Sequence, residues 1–282
     1  MSTDALRDLA QRLALTQLAG DTDAYVAMLA PNYVVEFPQS HELVRGPDNV
    51  RRMLSEHPQA PRFDGTPRVT LLGERWAAIE THASYGDEPW WVISVVELGE
   101  HGAQRERCYY APRLEPAAWR AAWVVPISDA QPPPELGGLH AVERGVVERY
   151  FRAQSEADLE TLARLRHPAW VHDMPQAGER FPSSAAYLEA HAHYPGGLPA
   201  LQPIALTGAE DQWVLGASPV PLRVNGVGAH WLGEVERTYP DGETWFDLLF
   251  MDFRSGQVAA ERSYWCQPFA APDWRADIAE RY

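Results

Sequence analysis

The sequence predicts an α+β protein of two tandem cone-like domains, each with three helices packed on a strongly curved antiparallel sheet. Its clearest sign is an internal repeat. The stretch YVVEFPQSHE at 33–42 returns 137 positions later as WVHDMPQAGE at 170–179, and ERCYYAPRLEPAAWRA at 106–121 returns as ERSYWCQPFAAPDWRA at 261–276. In both halves helical periodicity precedes a long run of strand-like segments. This repeated order indicates one domain type present twice.

Helical spacing and proline positions define the predicted elements of the first half. Leu6, Leu9 and Leu13 share one face of the first helix. Pro31 and Pro58 end the second and third helices, since proline cannot continue a helix. The predicted order is helix 3–19, helix 22–30, strand 33–37, helix 47–57 and strands over 67–125.

The second half repeats this order after a segment rich in proline and glycine, which predicts a boundary between domains. We therefore predict a first domain at 1–128, a linker at 129–139 and a second domain at 140–282. The second domain is longer between its repeated motifs, and the excess near 208–232 predicts an added or lengthened hairpin. Its predicted elements are helices 140–155, 158–166 and 182–193, strand 169–174 and strands over about 201–269.

Composition excludes several classes of function. A net charge of −15 argues against a nucleic-acid partner, because such binding depends on neutralising phosphates. All 24 basic residues are arginine, so chemistry through a lysine Schiff base or a P-loop lysine is excluded. No apolar run reaches the roughly 20 residues of a membrane span. His191 and His193 point to different sides of a predicted helix, so we expect no metal, and no cofactor is predicted.

Cellular location and assembly are predicted from equally simple features. Cys108 and Cys266 occupy non-equivalent places in the two halves, so a disulfide framework is not expected. The first residues lack the basic and apolar regions of a signal peptide. We expect a cytoplasmic protein. The fused pair of domains predicts an intramolecular pseudo-dimer and hence a monomer.

The strand exits and tails carry a resemblance to a known family. The exits PQSHELVRG and PQAGERFPS and the tails PRLEPAAWR and QPFAAPDWR resemble bacterial SnoaL-like proteins of the nuclear transport factor 2-like superfamily, which includes the ketosteroid isomerases. The resemblance covers both halves almost end to end. It implies a cystatin-like α+β barrel with an apolar interior suited to a small apolar, polyketide-like metabolite. It also implies cyclisation or isomerisation in natural-product biosynthesis, without a cofactor.

Comparison with ketosteroid isomerases directs attention to the second domain. VVERY at 146–150 is similar to that family's first-helix motif, which places Tyr150 at the position of its oxyanion-binding tyrosine. Met174 stands where those enzymes carry their general base. Strand alternation puts His172 on the same face as Met174, and we predict that His172 moves a proton and that Asp247 orients it. The predicted substrate-binding residues are Trp170, Met174, Tyr239, Trp245 and Met251.

The first domain is predicted to be a degenerate or supporting partner. Its equivalent strand face carries Tyr33, Val35 and Phe37, with no ionisable acid or base. A structural role is favoured over catalysis for the residues that recur at the strand exits, where they would tie the strand to the next helix, and in the tails. They are Gln39 and Gln176, Glu42 and Glu179, and the pairs Trp119-Arg120 and Trp274-Arg275.

Two other functions remain open at this point. Tandem domains of this superfamily occur in polyether epoxide hydrolase/cyclases, which use paired carboxylates in each cone. The sequence offers Asp173, Asp247 and Asp252 for that role, but Met174 stands at the strand-exit position. A pocket with two carboxylates would favour epoxide opening. A cone with His172 and Asp247 pointing outward would favour a non-catalytic binding protein.

Overall fold

The computed structural model describes residues 1–127, 142–156, 158–196, 200–201, 206–208, 212–215, 222–238 and 241–282. The helices are α1 (Thr3–Ala19), α2 (Thr22–Val26), α3 (Pro47–Ser55), α4 (Arg144–Ser155), α5 (Leu159–Leu165) and α6 (Ser184–Ala192). None of these described helices is long and apolar enough to cross a membrane.

The strands of the described residues are numbered along the chain. They are β1 (Leu29–Phe37), β2 (Glu42–Arg45), β3 (Arg62–Leu71), β4 (Trp76–Tyr85), β5 (Glu88–Gly99), β6 (Gly102–Pro112), β7 (Val125–Pro126), β8 (Arg166–Met174), β9 (Glu179–Phe181), β10 (Ala200–Leu201), β11 (Leu206–Gly208), β12 (Gln212–Leu215), β13 (Leu222–Val227), β14 (His230–Thr238), β15 (Thr244–Arg254), β16 (Gln257–Cys266) and β17 (Ala279–Arg281).

The chain forms two compact units. Unit 1 consists of Met1–Arg113 together with Cys266–Tyr282, and unit 2 consists of Leu114–Trp265. In its described residues each is an α+β unit with three α-helices and one sheet, so the predicted fold class is confirmed. Each has its own apolar core, built around Leu6 and Phe37 in unit 1 and around Phe151 and Trp170 in unit 2.

The division into units differs from the predicted domains, 1–128 and 140–282, at the C-terminal tail of each half. Backbone hydrogen bonds explain the difference. In unit 1, β17 pairs with β2, and in unit 2, β7 pairs with β9. The tail of the first half therefore belongs to unit 2, and the tail of the second half belongs to unit 1. The predicted linker, 129–139, lies outside the described residues.

The sheet of unit 1 has seven strands in the order β17-β2-β1-β6-β5-β4-β3. All neighbours are antiparallel except β1 and β6, which are parallel. Helix α1 begins at the N-cap Ser2, whose side chain accepts from Ala5 N, and ends at Gly20, whose φ of 66° suits glycine. Its buried face, which includes Leu9 and Leu13, joins the core of the unit.

The sheet of unit 2 follows the order β11-β12-β13-β14-β15-β16-β8-β9-β7, and β10 pairs with β14. Strands β11 to β13 form where the sequence predicts added strands. Strands β8 and β16 are parallel, like β1 and β6. In each parallel pair a glutamate lies opposite a residue that was predicted to line the cone. Glu106 pairs with Val35 in unit 1, and Glu261 pairs with His172 in unit 2.

The boundaries of the second helix and first strand differ from prediction. The predicted helix 22–30 ends at Val26, and β1 begins at Leu29 instead of residue 33. Pro31 lies inside β1, at a register shift between Leu29 and Val34. A bulge leaves residues outside the hydrogen-bond ladder, so a proline without an N–H group is accommodated there.

Candidate functional site

Unit 2 contains a cavity of about 500 Å³, within the size range of small-molecule sites. Helices α4, α5 and α6 and the strands β8, β15 and β16 all contribute side chains to it. Its walls combine apolar groups with several ionisable ones. The polar and aromatic residues that matter most for chemistry are Gln154, His172, Trp245, Asp247, Glu261 and Ser263.

Glu261 is a buried carboxyl group in the wall of this cavity, 3% exposed. The Tyr150 hydroxyl donates a hydrogen bond to its Oε1 atom. Arg166 lies behind both groups: its Nε donates to the Tyr150 hydroxyl at 3.0 Å, and its Nη2 is 3.7 Å from Glu261 Oε2. Burial raises the pKa of Glu261 well above its usual value, which favours a proton-carrying carboxyl group.

Arg166 is held by aromatic rings as well as by Tyr150. Its guanidinium lies 4.0 Å from the centre of the Trp170 ring and 4.1 Å from that of Tyr187. Cation–π contacts of this kind stabilise a cation that has left water. Burial lowers the pKa of Arg166 to about 10, so the group remains a cation at neutral pH.

His172 lies beside Glu261 on the cavity wall. Its Nε2 is 2.9 Å from Ser263 Oγ, and its Nδ1 is 3.7 Å from Glu261 Oε2. Among the described residues Nδ1 has no hydrogen-bond partner. Burial lowers the pKa of His172 well below 6.5, and the charges of Arg166 and His191 lower it further. The imidazole is therefore neutral at physiological pH.

Asp247 also lines the cavity, but not in the predicted role. Its Oδ2 accepts a hydrogen bond from Arg237 Nε at 2.5 Å, whereas both ring nitrogens of His172 face Glu261 and Ser263. The expectation that Asp247 orients His172 is therefore wrong. Burial raises the pKa of Asp247, and Arg237 opposes that shift. Its Oδ1 is buried and has no hydrogen-bond partner in the described part of the chain.

The remaining predicted residues fall into three groups. Met174 and Trp245 line the cavity. Trp170 and Met251 are fully buried in the core of unit 2 and do not line it. Tyr239 lies outside the described residues. No group of three His, Cys, Asp or Glu side chains that could hold a metal ion occurs in the ranges described.

Unit 1 contains a cavity of about 410 Å³. The predicted face of β1 lines it, but an ionisable group is present as well, because Glu106 enters from the neighbouring strand β6. Its Oε2 accepts hydrogen bonds from the hydroxyls of Tyr25, at 2.9 Å, and Tyr33, and its Oε1 accepts from Ser94 at 2.6 Å. The unit predicted to be degenerate thus has its own polar cavity.

Comparison with known families identifies one of the two units. Residues 9–108 match the family model of the SnoaL-like domain. This chain contains a SnoaL-like domain. The match covers most of α1, all of α2 and α3, and most of the strands of unit 1. No curated protein matches the chain.

Three solved structures that are similar to the chain each align with less than half of it. An NTF-2 like protein of unknown function from Burkholderia xenovorans is 23% identical, with a TM-score of 0.38 over 49% of this chain and 94% of its own. A proposed ketosteroid isomerase from Kribbella flavida is 22% identical, with a TM-score of 0.38 over 49% and 88%. A proposed polyketide cyclase from Pseudomonas putida is 16% identical, with a TM-score of 0.34 over 37% and 90%.

Sequence reasoning missed the central groups of both cavities, including Glu106 of the SnoaL-like domain. A signal was present, since Glu-Arg opens the repeated tail motif at Glu106 and again at Glu261. Each glutamate lies within a strand, where burial of the carboxyl group is costly unless it is partnered. Arg166 was missed because it falls where the sequence predicted the end of a helix. In the structure it begins β8.

Proposed function

We propose that unit 2 is a cofactor-independent enzyme that isomerises or cyclises a small, largely apolar metabolite by acid/base catalysis. One observation supports this most strongly: Glu261 and His172 lie 3.7 Å apart on the wall of one cavity. Their environments shift the pKa values in opposite directions, upward for the carboxyl group and downward for the imidazole. Such pairs supply an acid and a base in one site.

The proposed mechanism divides the proton transfer between these two groups. The opposite shifts favour the protonated form of Glu261 and the neutral form of His172, so Glu261 is the acid and the His172 imidazole is the base. His172 removes a proton from carbon next to a carbonyl group, and Glu261 donates to the oxygen as negative charge develops there. Tyr150 is a positioning residue, because its hydroxyl holds Glu261 and does not line the cavity.

Two further groups in the cavity wall support a substrate that carries hydrogen-bond donors. Asp247 Oδ1 and Gln154 Oε1 are buried acceptors without partners among the described residues, and both side chains line the cavity. An unpaired buried acceptor costs about 1–3 kcal/mol, which a hydroxyl group of a ligand would recover. Trp245 adds a flat apolar wall. The proposed substrate is therefore an apolar skeleton with a carbonyl group and one or more hydroxyl groups.

The test measures proton exchange, which does not require the natural substrate. We would incubate the protein in D₂O with β-diketones and β,γ-unsaturated ketones of one to four rings and follow deuterium incorporation and double-bond migration by NMR. His172→Phe and Glu261→Gln should each slow the reaction by about 10²-fold or more. His230→Phe is a matched control, because His230 lies on β14, pairs with Asp252 at 2.7 Å and does not line the cavity.

Two outcomes would contradict the proposal. One is exchange with all of these ketones that is no faster in the wild-type protein than in His172→Phe. The other is an equal loss in His172→Phe and His230→Phe, since that result would reflect general damage to unit 2 and not loss of a base.

Epoxide opening is the second candidate, and one observation favours it. Two carboxyl groups, Asp247 and Glu261, line the same cavity, as paired-carboxylate epoxide chemistry requires. Water activated by one would attack an epoxide carbon while the other protonates the oxygen that leaves. Incubation with cyclohexene oxide in H₂¹⁸O tests this, because hydrolysis gives a diol with one labelled oxygen. Asp247→Asn should abolish diol formation, whereas the isomerase proposal predicts that ketone exchange persists in this variant.

A binding-only function would have been favoured by a cone from which His172 and Asp247 point outward. Both side chains instead line the cavity.

A further inference from the structure

We propose that the cavity of unit 1 binds a small organic cation, a protonated primary or secondary amine on an aromatic or apolar skeleton. Glu106 lines this cavity and is 3% exposed. Its partners within the described part of the chain are the hydroxyls of Tyr25, Tyr33 and Ser94, none of which carries a positive charge. A buried carboxylate that is stabilised only by neutral donors attracts a cation into the cavity.

Comparison of the two cavities shows which charge is missing from unit 1. Leu29 in β1 occupies the register position that Arg166 occupies in β8, since each pairs with the residue three positions before the buried glutamate. Arg166 approaches Glu261 to 3.7 Å, but a leucine provides no counter-charge to Glu106. A ligand ammonium group would place a cation beside Glu106, as the guanidinium of Arg166 does beside Glu261 in unit 2.

The walls of the cavity suit such a ligand. Ring faces attract cations through their quadrupole, and the aromatic residues that line the cavity include Tyr25, Tyr33, Phe37, Tyr85, Tyr110 and Trp274. Burial and the nearby Glu106 carboxylate raise the pKa of Tyr25 and Tyr33 well above 10. These two side chains therefore remain protonated donors to Glu106.

A second acceptor points to a ligand with N–H groups. Gln17 Oε1 is buried, lacks a hydrogen-bond partner in the described ranges and belongs to a side chain that lines the same cavity. Gln17 and Glu106 together offer two acceptors to an ammonium group. A quaternary ammonium ion has no N–H to donate, so a primary or secondary amine fits better.

Arg62 and Arg275 also line the cavity, but neither is a partner of Glu106. Arg275 is engaged by other side chains. Its Nη2 lies 2.6 Å from Glu42 Oε2 and 3.2 Å from Ser40 Oγ. Its guanidinium covers the Phe37 ring at 4.3 Å. The charge of Arg275 is therefore balanced by Glu42, and Glu106 remains available to a ligand.

The first experiment compares three probes of one skeleton by calorimetry at neutral pH. They are 2-phenylethylamine, a cation; 2-phenylethanol, a neutral analogue; and phenylacetate, an anion. We expect the amine to bind at least about tenfold more tightly than the alcohol and phenylacetate not to bind. Equal affinity for amine and alcohol would overturn the proposal with the wild-type protein alone.

Two pairs of variants locate the site. Glu106→Gln should weaken amine binding by about tenfold or more. Its control, Glu36→Gln, changes a neighbouring glutamate that does not line the cavity and should leave binding unchanged. Leu29→Arg would install the missing guanidinium and should abolish amine binding, whereas Leu29→Met should retain it. Undiminished amine binding in a folded Glu106→Gln or Leu29→Arg protein would place the ligand elsewhere and refute the assignment.

Discussion

The hydroxyl of Tyr150 donates a hydrogen bond to Glu261, which lies 111 residues later in the chain. Unit 1 has a glutamate at the same register position, but its tyrosine donors come from α2 and β1. The two units thus keep one buried carboxyl group and partner it differently: by tyrosine, arginine and histidine in unit 2, and by hydroxyls alone in unit 1. We therefore expect the two cavities to accept different ligands.

The hydrogen bond from Tyr150 to Glu261 should stabilise the folded protein as well as position Glu261 in the cavity wall. Tyr150→Phe removes the hydroxyl that donates to Glu261 and accepts from Arg166 Nε. Leaving these buried groups with fewer partners should lower the free energy of unfolding by about 1–3 kcal/mol. Urea unfolding followed by tryptophan fluorescence measures the change. The matched control Tyr282→Phe, at a residue 59% exposed, should cost less than about 0.5 kcal/mol; equal effects would contradict the prediction.

Stability should fall as the pH is lowered, because unit 2 buries neutral histidines. Burial lowers the pKa of His191 from 6.5 to about 4. On acidification the unfolded state therefore binds this proton at a higher pH than the folded state does. Neutral His191 therefore contributes at most about 3 kcal/mol to the free energy of unfolding. This contribution is complete above about pH 6.5 and is lost as the pH falls to about 4. His172 shifts in the same direction.

The check is a series of urea unfolding curves at pH 7, 5.5 and 4.5. His191→Gln lacks the titrating group, so it should lose less stability over this range than the wild-type protein. Parallel losses in the two proteins would show that His191 does not carry the effect.

The sequence predicted the fold well because local signals and the repeat agree. Apolar spacing identified α1 with its observed bounds, and strand alternation correctly placed His172 and Met174 on the cavity face. Partners within the cavity could not be predicted in the same way. The contact of His172 with Glu261 depends on parallel pairing of β8 with β16, and no local pattern specifies the register of strands so far apart in the chain.

The sequence also did not predict which unit the C-terminal tail of each half joins. The repeated Gln, Glu and Trp-Arg motifs were predicted to be structural, and Gln39 is hydrogen-bonded to the backbone of Tyr110 and of Gln267 in unit 1. The predicted partner of these strand exits was the next helix. In the structure Glu42 binds Arg275, and Glu179 binds Arg120. In each unit, therefore, the glutamate at the strand exit binds an arginine of a tail.

The ion pair of Glu42 with Arg275 should be strongly coupled. Both residues are at least 95% buried, with Nη2 2.6 Å from Oε2. Arg275→Met leaves Glu42 buried without its counter-charge and should cost about 3–5 kcal/mol. Glu42→Leu combined with Arg275→Met should cost less than the sum of the single changes, because no unpaired charge remains. A double-mutant cycle by urea unfolding measures the coupling, and additive costs would contradict it.

Position 233 on β14 should require glycine, because a side chain there would collide with Phe151. A Cβ atom at this position would overlap the ring of Phe151, with Cε1 at 2.8 Å, and Phe151 is a fully buried residue of α4. Gly233→Ala should therefore destabilise unit 2 by about 1–3 kcal/mol. Because Tyr150 adjoins Phe151, displacement of α4 should also weaken the hydrogen bond to Glu261 and reduce the proposed proton exchange.

A compensating change tests this steric origin. Phe151→Leu shortens the opposing side chain, so it should recover part of the stability and the exchange rate when combined with Gly233→Ala. Gly145→Ala in α4 is the control, since its Cβ would lie 3.6 Å from Arg149 Nη1, an ordinary contact, and alanine favours a helix over glycine. If Gly233→Ala were as harmless as Gly145→Ala, the helix would not be held against β14 by this close approach, and Tyr150 would owe its position to other contacts of α4.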